Sequence, residues 1–209
     1  MGDRSTSRRS AAETREHVLT VARELFYNEG IRATGVDRVA AAAAVAPTTL
    51  YRLFSSKDEL VAAYLEREFR HYREWFTAAV RSGTDPRTAI LAVFDALAAQ
   101  VGAPDCRGCP FLIALSEFPD GDLLSHQRAM EMKEWVYAQF HTLATAFASG
   151  VPDRGVARVA DQLFLLMEGV YATVPSFGPS GPADRARGMA ESVLDAASSM
   201  TVNAQSAHR

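Results

Sequence analysis

Five side chains within ten residues carry the chemistry that stands out in this sequence: Thr48, Thr49, Tyr51, Arg52 and Lys57. A guanidinium can pair with O6 and N7 of guanine, and a threonine methyl can touch the thymine methyl, so Thr48, Thr49 and Arg52 are the candidates for base edges. A phenol and an ammonium can hold backbone phosphates, which position a protein on nucleic acid without reading its sequence. Tyr51 and Lys57 suit that role. Upstream, Thr34 stands where a short helix begins, and helix N-termini favour anions.

These residues need a frame that turns them to one side. Val36, Val39 and Ala40 recur at helical spacing, and the pattern stops at Ala44-Val45-Ala46. A second periodic piece starts at Pro47, whose missing N–H costs nothing at the first position of a helix. It sends Leu50, Leu53 and Phe54 inward and leaves Thr48, Thr49, Tyr51 and Arg52 outward. Two helices of about two turns joined by three or four residues predict a helix-turn-helix, whose second helix fits the DNA major groove. Ahead of them, Val18, Val21, Ala22, Leu25 and Phe26 form one buried stripe over Thr14–Asn28, closed by Gly30 and bracing the pair.

The stretch Thr34, VDRVAAAAAV and then T-L-Y-x-x-F-x-S-K-x-E-L from Thr49 to Leu60 resembles the DNA-binding domain of the TetR family of bacterial regulators. The likeness covers roughly the first sixty residues. Two positions depart from the pattern: Ala44 stands at a corner that is usually Gly, and Ala46-Pro47 replaces the usual Ser-Lys/Arg entry. A left-handed Ala costs on the order of 1 kcal/mol, and losing a Ser cap about as much. The resemblance implies an all-α protein of nine or ten helices. A helix-turn-helix head would bind an operator, and a helical body would bind a ligand and dimerise.

Composition limits the classes. Charged residues make 22% and hydrophobic ones 48%, ordinary for a globular chain, and no apolar run reaches the ~18–20 residues that cross a bilayer. The N-terminal MGDRSTSRRS lacks an apolar core, so no secretory signal is read there and a cytoplasmic setting is expected. Residues 1–58 hold nine Lys/Arg against seven Asp/Glu, and the remainder thirteen against eighteen, so a head of +2 precedes a body of −5. That suits contact with phosphate at one end. Residues 1–12, with Arg4, Arg8 and Arg9, read as an arm, either a plain terminus or one that reaches a minor groove.

Ser55-Ser56 caps a long helix that runs without Gly or Pro from 57 to about 81 and so leads from head to body. Beyond Ser82-Gly83-Thr84-Asp85-Pro86 the pattern is helical throughout, at about 86–100, 108–118, 123–149, 154–174 and 182–200, with a frayed tail from 202. The expected organisation is an arm (1–12), a DNA-binding domain (13–58), a ligand-binding and dimerisation domain (59–201) and a tail (202–209).

Within the body, Trp75, Phe111, Trp135, Met167 and Tyr171 are apolar candidates for the ligand cavity that the resemblance implies, with Glu117, Gln162 and Glu168 as polar ones. A small, largely apolar effector follows. Leu163–Val174 is apolar nearly all round and must be covered on two sides. Beside it, Ala186, Ala190, Val193 and Leu194 make a small-residue stripe, with Gly169 opposite; together with Leu163 these predict a two-fold dimer interface. Cys106-x-x-Cys109 lacks a second Cys pair and no His is spaced to help, so no metal or cofactor is expected. Two readings of the pair stay open, small apolar fillers or a thiol switch. No catalytic motif is present, and an enzyme is not expected.

Overall fold

The computed structural model describes residues 9–148 and 153–206, and among these the chain is helical with no strand. The helices are α1 (Ala11–Glu29), α2 (Val36–Ala42), α3 (Pro47–Leu53), α4 (Lys57–Ser82), α5 (Pro86–Val101), α6 (Pro110–Glu117), α7 (Leu124–Phe147), α8 (Asp153–Phe177) and α9 (Ala186–Ser206), with a short 3-10 turn at Pro182–Arg185 before α9. The all-α expectation holds.

Two compact units emerge. One comprises residues up to 68 together with 113–129; the other comprises 69–112 and the chain from 130 onward. The chain passes from one to the other inside α4, α6 and α7. Residues 113–129 thus pack with the head, although sequence reading put them in the body.

In the first unit, α1 starts three residues before the expected Thr14. The cause is a reciprocal cap: Ser10 Oγ accepts from Glu13 N at 3.2 Å, and Ser10 N donates to Glu13 Oε2 at 2.7 Å. Val18, Leu19, Ala22 and Phe26 are buried, and Phe26 meets Tyr64 of α4 edge-on with centroids 5.5 Å apart. Arg23 binds Glu68 at 3.2 Å, which ties α1 to α4 at the surface. Arg4 and Arg8 of the expected arm lie outside the described residues, while Arg9 is exposed.

In the second unit, Asp85 caps α5 by accepting from Thr88 N at 3.0 Å, with Pro86 at the first position. Phe94, Phe140, Phe76 and Trp135 form a continuous aromatic core, with ring centroids 5.5 to 6.0 Å apart. Pro175 near the end of α8 has no N–H for the carbonyl of Tyr171, four residues back. Gly108 backs onto that carbonyl at φ 97°, where a Cβ would stand 2.9 Å from the oxygen, so only glycine fits. Helix α9 runs on to Ser206 through most of the expected tail, and 207–209 lie outside the described residues.

Candidate nucleic-acid interface and the polar interior of the body

The first unit splits α3 into two faces. Leu50 and Phe54 are buried beneath it, whereas Pro47, Thr48, Tyr51 and Arg52 are exposed and Thr49 is half-buried. Tyr51 is 51% exposed, high for a large aromatic, and neither Tyr51 nor Arg52 is held by a bond to its own chain among the contacts described. Of the residues expected to make base and phosphate contacts, Thr48, Tyr51 and Arg52 are therefore accessible on α3, and Thr49 is only partly so.

Ala44 forms the corner in front of α3 at φ 53°, among the described residues the one non-glycine in the left-handed region. The strain expected there is present. His17 Nε2 lies 3.0 Å from the carbonyl of the preceding Ala43, so α1 pins the corner from below. This tie was not legible in the sequence, because 26 residues separate the partners.

Thr34 does not stand open to an anion. It is 1% exposed, its hydroxyl donates to Gly30 O at 2.8 Å, and its N–H donates to the same oxygen at 3.2 Å. Its work is to close the turn after α1, and the cap of α2 falls to Gly35, which offers no side chain. Lys57 is half-buried and its ammonium donates to Arg32 O at 3.0 Å, with burial pulling its pKa down against the opposing pull of Glu117. Glu117, expected in the effector cavity, instead accepts from Ile31 N at 3.1 Å and from Arg32 N, so both carboxylate oxygens are occupied by the α1–α2 turn. Asp58 acts likewise at the other end of the same segment, accepting from Leu124 N at 2.9 Å and Ser125 N at 3.0 Å to cap α7.

The other six candidates for the effector site fall in the second unit and are linked there. Phe69 packs edge-on against Phe111 and Trp135, at 6.5 and 5.7 Å, and Arg73 lies 5.6 Å over the Trp135 ring. Trp75 meets Tyr72 at 5.0 Å, and the Tyr72 hydroxyl donates to the Met167 sulfur at 3.0 Å. Tyr171 is buried and donates to Gln100 Oε1 at 2.9 Å. Glu168 receives Lys133 Nζ at 2.7 Å on both oxygens, and the same ammonium stands 3.5 Å from Cys109 Sγ. Gln162 is exposed and outside this set. Burial holds the Tyr72 and Tyr171 phenols well above their ordinary pKa, and it pushes the Cys109 thiol up although Lys133 pulls the other way.

Lys133 and Gln100 were not singled out in advance. Lys133 did leave a trace: with Ala129, Val136 and Phe140 it falls at i, i+4, i+7 and i+11, a cation on an otherwise buried stripe. An open groove of about 470 Å³ also runs beside α4, lined by Arg70, Arg73, Glu74, Thr77, Ala78 and Arg81. Among the described residues no cluster of His, Cys, Asp and Glu is fit to hold a metal, and no helix is long and apolar enough to cross a membrane.

The residues expected at a dimer contact divide. Leu163, Ala186, Ala190 and Leu194 are fully buried within the single chain, where α8 and α9 pack on each other. They are intrachain core, which corrects their assignment to an intersubunit surface. Gly169 is exposed and Val193 half-buried, and a Cβ added at Gly169 or Gly188 would meet nothing within 4 Å. Leu165, Phe177 and Met189 stand 66%, 67% and 46% exposed on the same two helices.

Residues 18–64 match the family model described as bacterial regulatory proteins, tetR family. The crystal structure of SCO4454, a TetR-family transcriptional regulator from Streptomyces coelicolor, superposes with a TM-score of 0.83 at 32% identity over 90% of this chain and 97% of that one. The HTH-type transcriptional activator FasR of Mycolicibacterium smegmatis is 36% identical over 95 residues, 46% of this chain and 43% of that protein. The HTH-type transcriptional repressor KstR2 of Rhodococcus jostii is 37% identical over 83 residues, 38% of this chain and 39% of that protein. The chain thus spans less than half the length of these two relatives, one an activator by name and the other a repressor.

Proposed function

The chain belongs to the TetR family and is a DNA-binding transcriptional regulator, and from that premise we propose that it is a cytoplasmic repressor that grips a palindromic operator as a homodimer and releases it on binding a small, largely apolar effector. The outward face of α3 carries the reading. Pro47, Thr48, Tyr51 and Arg52 are exposed over a buried Leu50 and Phe54, so the cost of holding the reading surface is met inside the unit. Thr48, Thr49 and Arg52 address base edges, and Tyr51 and Lys57 the phosphates.

The effector site lies among Trp75, Phe111, Trp135, Met167, Glu168 and Tyr171. Their linked rings supply apolar contact, and the Lys133–Glu168 pair supplies a polar anchor of the kind that orients a ligand in a mostly apolar site. Glu117 is not part of it. Dimerisation uses the exposed side of α8 and α9, with Leu165, Gly169, Phe177, Gly188, Met189 and Val193. A helix-interior Gly costs about 1 kcal/mol against Ala, and among the described residues nothing lies within 4 Å of a Cβ at Gly169 or Gly188, whereas close approach of a second subunit would account for both. The burial and raised pKa of Cys109 weigh against a thiol sensor.

Selection of bound fragments from random-sequence duplex DNA tests the reading. The expected product is an inverted repeat with half-sites one helical turn or a small multiple apart. Recovery of single, unpaired half-sites would overturn the dimeric operator. A screen of small apolar compounds by tryptophan quenching should return hits that also release the selected DNA, and hits that quench without release would overturn the effector assignment.

A further inference from the structure

The turn between α1 and α2 is held by groups from two distant parts of the chain. Glu117 at the end of α6 accepts from Ile31 N at 3.1 Å and from Arg32 N, across 86 and 85 residues of sequence. Lys57 at the start of α4 donates to Arg32 O at 3.0 Å, so the Arg32 peptide is gripped on both sides. The Arg32 guanidinium lies 5.6 Å over the ring of Phe118, the residue after Glu117. The turn leads into Gly35 and α2, and α2 carries the Ala44 corner from which α3 departs. A carboxylate that takes two adjacent backbone N–H groups fixes both position and orientation of that peptide, because charge-assisted bonds are short and strong and the geometry is bidentate. Asp58 ties the same α6–α7 segment back at Leu124 and Ser125.

We propose that Glu117 is a positioning residue for DNA recognition: by clamping the Ile31–Arg32 turn together with Lys57, it sets the attitude of α2 and α3 in the operator-binding conformation. On the reading of the protein as an effector-released regulator, the clamp also gives the effector a route to the DNA reader through α6. Helix α6 carries Phe111, assigned above to effector binding, and ends in Glu117.

Sign makes the test sharp. Glu117→Gln removes a negative charge from a DNA-binding unit, so electrostatics alone would tighten binding to every duplex. It also sets an amide –NH₂ against one of the two backbone N–H donors, so the two-point clamp is reduced to a single neutral bond. The experiment uses the full chain, a duplex obtained by selection from random sequence, and a scrambled duplex of equal length. Positioning predicts that E117Q loses at least about tenfold in affinity for the selected duplex, with an unchanged salt slope and affinity for scrambled DNA within about twofold. Equal or tighter binding of the selected duplex by E117Q, while wild type binds it well, would overturn the proposal and leave the regulator reading intact. Failure of wild type to select any duplex would sink both.

A second measurement needs no variant. By linkage, a clamp that favours the DNA-binding conformation must itself be strengthened by DNA. The Ile31 and Arg32 amides should exchange slowly in free wild-type protein and several-fold more slowly with the selected duplex than with scrambled DNA. Equal exchange in the two complexes would overturn the proposal even if E117Q does not fold.

Discussion

The ammonium of Lys133 stands 2.7 Å from both carboxylate oxygens of Glu168, with the lysine side chain 8% and the glutamate side chain 19% exposed. These charges sit in the same unit as an aromatic core, and each is tolerable there only because of the other. Lys133 and Lys57 are the chain's only lysines, and both amines end on oxygen acceptors of their own chain.

Removing one partner of that pair should therefore be worse than removing both. Glu168→Leu leaves an uncompensated ammonium and is expected to lose about 3–5 kcal/mol, whereas Lys133→Met with Glu168→Leu should stay within about 2 kcal/mol of wild type. Denaturant titrations followed by tryptophan fluorescence give the comparison. A double variant as unstable as the single one would show that the pair matters for packing and not for charge.

Alkali should expose the buried thiol and phenols. Below the ordinary thiol range, folded and unfolded chains both carry a neutral Cys109, and stability is undiminished. From about pH 8 upward the unfolded thiol ionises while the raised pKa of the folded thiol keeps its proton, so stability falls. Tyr72 and Tyr171 extend the loss at higher pH in the same direction. Cys109→Ala should remove the earlier part of the decline, as read from denaturation midpoints across that range. Alkylation should label half-buried Cys106 before Cys109, and the reverse order would contradict the burial.

The corner at Ala44 offers a gain. At φ 53° an L-residue carries about 1–2 kcal/mol of strain that glycine does not, and glycine loses about 0.4–1 kcal/mol more unfolded-state entropy. Ala44→Gly should come out about 0.5–1 kcal/mol more stable by thermal or denaturant unfolding, while Ala44→Val should be destabilised. Destabilisation by glycine would mean that the corner's strain is relieved elsewhere.

Base reading and phosphate gripping separate by sequence dependence. Arg52→Ala should relax preference at one position per half-site by about 1–3 kcal/mol. Lys57→Ala should weaken all duplexes and flatten the salt slope by about one unit. Because Lys57 also holds Arg32 O, it should lose more on the selected site than on scrambled DNA. Binding competitions across single-base variants would expose a mistaken role for Arg52 if its loss were uniform.

The proposed dimer surface can be tested without touching the core. Leu165 is 66% exposed, so Leu165→Glu should leave the helical circular dichroism unchanged and yield monomers by sedimentation at micromolar concentration. Ala190→Glu, by contrast, places a charge at a fully buried site and should unfold the chain. A dimeric Leu165→Glu protein would move the interface away from this face of α8.

The sequence alone determined what is decided within a few residues. Helical spacing over seven residues already separated Leu50 and Phe54 from Thr48, Tyr51 and Arg52, and Pro47 and Ala44 marked the ends of their helices, because periodicity and backbone sterics are local. Tertiary structure alone decided which distant groups meet. Glu117 read as a polar interruption in an apolar helix, and only folding brought it to the Ile31 and Arg32 amides. Leu163, Ala186, Ala190 and Leu194 turned inward while Leu165 and Met189 turned out. A helix apolar on every side carries no local signal for the side that meets its own chain, and that choice belongs to whichever neighbour packs against it.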